Sequence, residues 1–204
     1  MVVDGGDSQS KIPIQYWVPA ADVNAAKIGF KLTPEMVRFY SSKLMDYPYD
    51  KYAVGVAFGF RGAMEHTSAT TFGEDLKIAG GGFDAAINAH ELSHHWFGDT
   101  VTCKTWNDLW LNEGFASYFD VVFWEFNDGK ELWLERTSGY RKRYFADDTP
   151  NGSLGPILNP KTSPFEKFTS VNYEKAALVI QTLRYELGDV AFFKALQDYL
   201  AAYK

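Results

Sequence analysis

Apolar and polar positions alternate in "IPIQYWV" (residues 12–18), the two-residue period of a strand with one face buried. The period lengthens in "TPEMVRFYSSKLM" (33–45), where apolar residues return at helical spacing behind a threonine cap and Glu35. A turn and then a strand follow in "YPYDKYAVGVAFGF" (47–60), and "HTSATTF" (66–72) has the β-branched content of another strand. The glycines of "AGGG" (79–82) predict a turn or hinge opening a helix capped by Asp84, which should stop near Gly98. A second helix, about 107–126, is apolar on most faces and is therefore expected to be buried. "TPNGSLGPILNPKTSP" (149–164) holds four prolines and reads as an irregular loop, and helical patterns at about 173–187 and 190–203 close the chain. Strands first and helices later predict an α+β fold.

Composition narrows the picture. The 204 residues suit one domain, expected over 12–204 after a flexible polar lead-in at 1–11. Hydrophobic residues make up 46% and charged residues 23%, the balance of a folded globular chain. Aromatic residues reach 17%, so the core is built from large side chains, with Trp106 and Trp110 expected in it. A net charge of -6 without any basic run argues against nucleic acid as a partner. No apolar stretch approaches the roughly 18 residues of a membrane span, and "MVVDGGDSQSK" lacks the regions of a signal peptide, which makes a cytoplasmic location the default expectation. Cys103 is the only cysteine, so the chain has no internal disulfide framework.

Chemistry concentrates in "NAHELSHHWFGDT" (88–100), which carries three of the four histidines. His90 and His94, four apart on a predicted helix, share a face and can chelate one ion. Glu91 between them can reach a water at the metal without itself ligating, the HExxH arrangement of zinc hydrolases. A catalytic zinc needs a third protein ligand and an open position. Glu113 supplies it from the next predicted helix, with eighteen residues between it and His94. Asp120, two turns beyond Glu113, is a candidate acceptor for the far nitrogen of a ligating imidazole, or an ordinary surface acid. His95 points about 100° away from His94 around the helix, so packing or a surface position is expected for it.

With those residues in view, "HELSHHWFGDTVT…WLNEGFASYFD" resembles the zinc aminopeptidases related to aminopeptidase N, puromycin-sensitive aminopeptidase and the leukotriene hydrolase-aminopeptidase. "GAMEH" (62–66) matches that family's GAMEN motif at four of five positions, with His66 in place of Asn. "VNYEKAA" (171–177) matches its Tyr-Glu-Lys-Gly-Ala segment, with Ala176 in place of Gly. The resemblance implies a thermolysin-like catalytic domain, a mixed β-sheet whose edge strand lines the site, followed by helices. It implies one zinc ion on His90, His94 and Glu113, with Glu91 activating water and Tyr173 stabilising the oxyanion. It further implies Glu65 as the grip on the substrate's free α-amino group, with Gly62, Ala63, Met64 and His66 lining the substrate peptide. The implied partners are peptides with a free N-terminus. The family's N-terminal β-domain and C-terminal helical domains are expected to be absent, and self-association through surface they would cover is a further expectation. Two other readings fit the same residues: a zinc-holding module without turnover, and an endopeptidase with an opened site.

Overall fold

The structure, a computed structural model, describes residues 2–4, 12–76, 78, 82–148, 155, 157–158 and 163–204. They fall into two compact units, Met1–Asp99 and Thr100–Lys204.

The first unit is built on a five-stranded mixed sheet. β1 (Val2–Asp4) pairs antiparallel with β2 (Ile14–Trp17), β2 runs parallel to β3 (Tyr52–Ala57), and β3 runs parallel to a later strand, Ala69–Gly73. That strand, β5, carries the two-residue β4 (Ala63–Met64) antiparallel on its other side, so β4 ends the sheet. Val2–Asp4 had been expected in the flexible lead-in, but β-branched Val2 and Val3 extend the sheet instead. Helices α1 (Val23–Gly29), α2 (Thr33–Lys43) and α3 (Gly82–Ser93) complete the unit. Ile14, Tyr16, Phe30, Tyr52, Val54 and Phe72 are buried. Phe30 centres this core: its ring meets Tyr16 at 5.2 Å and Phe72 at 5.3 Å, while its carbonyl accepts the Tyr16 hydroxyl at 2.9 Å.

Two helix boundaries differ from expectation. Thr33 lies inside α2 and donates its hydroxyl to the Phe30 carbonyl at 2.7 Å, so it is a bridge to the preceding turn and not a cap. Helix α3 starts before Asp84 and ends at Ser93, ahead of Gly98; residues 79–81 of the expected hinge lie outside the described residues. The chain nevertheless keeps turning beyond Ser93. Phe97 N–H donates to Ser93 at 3.3 Å and Asp99 N–H to His94 at 3.0 Å, a reversal that Gly98 permits with φ 145°.

The second unit is helical. α4 (Trp110–Asp128) is buried along most of its length, as its apolar pattern predicts, whereas α5 (Lys130–Asp148) buries no residue and was not foreseen. A π-helical turn, Val171–Lys175, leads into α6 (Ala176–Leu187), and α7 (Asp189–Tyr203) follows. α4 and α6 approach closely because Gly114 has no side chain: a Cβ there would lie 2.6 Å from that of Ala176. Trp106 is 54% exposed, with its ring 6.3 Å from that of Phe168, so it is not the core residue its size suggested. Among the described residues no helix is long and apolar enough to cross a membrane.

Candidate metal and substrate site

His90 lies three residues from the end of α3, and His94 follows its last residue. The His94 N–H still donates to the His90 carbonyl at 3.3 Å, so the helical repeat continues far enough to stack the two side chains. Their Nε2 atoms are 3.1 Å apart, with ring centroids at 4.8 Å. His94 Nδ1 lies 3.0 Å from the Phe97 carbonyl. A carbonyl can only accept, so Nδ1 carries the proton and the Nε2 lone pair is directed at His90. Two ligands of a tetrahedral zinc at about 2.0–2.1 Å are separated by roughly 3.3 Å. The imidazole pair fits such an ion in both donor chemistry and spacing.

Two carboxylates stand next to this pair. Glu91 is buried on α3, and Glu65 immediately follows β4. Glu65 Oε1 is 3.8 Å from His94 Nδ1. Ligand atoms of Glu65, Glu91 and His94 all lie within 4.8 Å of one another. Like charges this close favour a cation between them. The strand leading to Glu65 is set by Gly62, whose φ of 73° suits glycine and whose N–H donates to Asp75 Oδ1 at 3.0 Å. Gly62 in turn accepts the Gly73 N–H at 2.7 Å, and Ala63 and Met64 then pair with Phe72 and Thr71. His66 is exposed, its Nδ1 2.8 Å from the Thr71 hydroxyl.

His95 packs inward, as its angle around the helix predicts. It is fully buried, with the Tyr47 hydroxyl 2.7 Å from Nδ1 and the rings of Tyr47, Tyr49 and Tyr52 at 5.6, 5.6 and 5.3 Å. Burial, and then His94, hold its pKa down at about 3, so the ring is neutral. Asp99, 3.7 Å from His95 Nε2, is pushed up to about 6 by burial and then by the Glu65 charge. These tyrosines were not anticipated around the site; the only trace in the sequence is the aromatic spacing of "YPYDKY".

The second unit holds the remaining residues singled out from the sequence. Glu113 is buried in the first turn of α4. Asp120 is buried on the same helix, accepting from Trp124 Nε1 at 2.7 Å and the Tyr140 hydroxyl at 3.3 Å, with Arg136 at 3.4 Å. Tyr173 sits half-buried in the π-helical turn. That turn is tied down on both sides of Tyr173: Asn172 Nδ2 donates to the Lys167 carbonyl at 2.7 Å, and Glu174 pairs with Arg143 at 2.9 Å. Such turns interrupt helices mostly at functional positions. The structure thus brings together His90, Glu91, His94 and Glu65 within the first unit, and places Glu113, Asp120 and Tyr173 in the second.

The family model described as the peptidase family M1 domain matches residues 28–204. Aminopeptidase M1-B of Oryza sativa subsp. japonica is 36% identical over 155 residues, covering 70% of this chain and 17% of its own length. A mutant M1 zinc metallopeptidase from Deinococcus radiodurans, crystallised with a Tyr-Ser-Ala substrate, has a similar fold, with a TM-score of 0.71 at 24% identity. Native yeast LTA4 hydrolase gives a TM-score of 0.78 at 22% identity. Both structures are covered over 100% of this chain, which spans 44% and 33% of their respective lengths.

Proposed function

The chain belongs to peptidase family M1, and on that premise we propose that it is a zinc-dependent aminopeptidase, removing residues one at a time from peptide N-termini. The observation that carries the reading is the placement of Glu65 and Glu91 beside His94, on the imidazole pair and at the end of an edge strand.

One zinc ion is assigned to His90, His94 and Glu113. Two imidazoles and a carboxylate are a zinc-like donor set. Bound zinc acidifies water and polarises a carbonyl oxygen. Glu91 takes the proton from the attacking water and passes it to the leaving amine. The Tyr173 phenol donates to the oxyanion that develops on the substrate carbonyl. Glu65 pairs with the α-ammonium and so fixes cleavage one residue from the free end. The main chain of Gly62, Ala63 and Met64 receives the substrate as an added strand, with His66 beside it.

The test is turnover of Tyr-Ser-Ala and of its N-acetylated form by the zinc-loaded chain, with Glu91→Gln as control. Cleavage of the free-amine peptide alone, lost in the Gln variant, is the expected result. Cleavage of both forms would replace the reading with an endopeptidase. Stoichiometric zinc without turnover of either would leave a zinc-holding module.

A further inference from the structure

We propose that Arg143 is a positioning residue for Tyr173: through Glu174 it holds the π-helical turn in the setting from which the phenol serves the oxyanion. The inference rests on the reading of Tyr173 as the oxyanion donor.

The setting of Tyr173 is easily lost. In its turn the Lys175 N–H donates to the Ser170 carbonyl at 2.9 Å, five residues back, so the chain winds more widely there than in an α-helix. Tightening to the ordinary four-residue pattern would swing the residues ahead of α6 by about 100° around its axis, and Tyr173 with them. Beyond the turn the register is fixed, because Ala176 is seated against Gly114 of α4 with no room there for a further carbon. Within the turn it is α5 that holds the chain. That helix buries no residue, yet Arg136, Tyr140, Arg143 and Tyr144 share one of its faces. Arg136 and the Tyr140 hydroxyl reach Asp120 on α4 at 3.4 and 3.3 Å, which moors the helix. From that mooring Arg143 reaches Glu174 at 2.9 Å, with its guanidinium 5.6 Å from the centre of the Tyr140 ring. The Lys175 ammonium lies 5.1 Å from the centre of the Tyr144 ring. An ion pair between two exposed groups would hold little. Glu174 is buried, however, and a carboxylate removed from water depends on its cation. The residue next to Tyr173 is therefore tied to α5, and α5 is tied to the helix against which α6 is seated.

The experiment measures kcat and KM of the full zinc-loaded chain on Tyr-Ser-Ala. Alongside, calorimetry gives its affinity for an analogue with a phosphinate in place of the Tyr-Ser amide, whose tetrahedral oxygen stands in for the oxyanion. The Arg143 side chain is 64% exposed, so Arg143→Gln opens no cavity. It is expected to lower kcat and analogue affinity about tenfold each, with KM and zinc stoichiometry unchanged, the scale of a lost hydrogen bond to a charged group. Arg143→Lys, which keeps a cation beside Glu174, should restore most of both. In a Tyr173→Phe background, where kcat has already fallen about 10²–10³-fold, Arg143→Gln should cost nothing more, because it acts only through the phenol. Unchanged kcat and analogue affinity in Arg143→Gln overturn the proposal, as does a Lys variant no better than the Gln one. A tenfold loss that recurs in the Tyr173→Phe background overturns it too, by making Arg143 a general support of the fold, and so does a change confined to KM or to zinc stoichiometry. If Tyr173→Phe matches the parent in both measurements, or the parent shows neither turnover nor analogue binding, the oxyanion reading itself fails and takes this inference with it.

Discussion

Helix α3 and the turn after it have two flanks of unlike character. On one, polar groups converge on their own kind: two imidazole nitrogens at 3.1 Å, and two carboxylates beside a ring nitrogen. On the other, polar groups meet complementary partners. Asn88 is fully buried, accepts the Tyr52 hydroxyl at 2.6 Å and donates to Thr33 at 2.8 Å. Tyr40 donates to the Ala89 carbonyl at 3.1 Å, and Trp96 to the Met45 carbonyl at 2.9 Å. The second flank needs nothing from outside to be stable. The first gathers like groups that repel until a cation arrives, and departures from self-consistency of this kind mark functional positions.

The contrast can be broken by substitutions that separate chemistry from folding. Glu91→Gln should lower peptide turnover by about 10³-fold, the range for a lost general base, while leaving the thermal midpoint near that of the parent. Asn88→Ala should do the opposite, costing about 2–3 kcal/mol in urea denaturation by stranding two buried partners, with zinc stoichiometry preserved. A tenfold fall in zinc affinity with Asn88→Ala would erase the distinction between the flanks. Tyr40→Phe removes one buried hydrogen bond from the same flank and should cost about 1 kcal/mol in the same measurement.

The smallest expected effect is one of pH. Asp99 holds its proton up to about 6 in the folded chain against an ordinary value of 3.8. The folded state therefore binds more protons than the unfolded one across that window, and stability falls as pH rises through it. Asp99→Asn should match the parent near pH 3.8 and exceed it above pH 6. Denaturation curves at both ends of the window check this, and a parallel pH dependence in the two proteins would remove Asp99 from the account.

Much of the first flank was legible in the sequence because its information is periodic. His90 and His94 are related by helical geometry alone, and Glu91 by adjacency. What holds His94 was not legible. A main-chain carbonyl three residues on has no side-chain signature, so a reading of side chains turns to carboxylates such as Asp120 for the task. The ring of tyrosines around His95 depends on how strand and helix pack, which periodicity does not specify. In the second unit, α4 was readable and α5 was not, although each has 19 residues. An amphipathic or apolar stripe is what the eye finds, and α5 buries no residue and so carries none. Tyr173 illustrates a third case: local pattern placed it in an ordinary helix, whereas the chain winds there into a wider turn pinned at Asn172 and Glu174.

The brevity of β4 has one more consequence. A long exposed sheet edge offers a visiting chain many offsets and invites other edges to stack on it. An edge of two residues, Ala63 and Met64, works as a ruler with a single mark. On the proposed reading, a peptide added there would gain little from the edge itself, and distance along it would be counted from its tip by the residue that follows, Glu65.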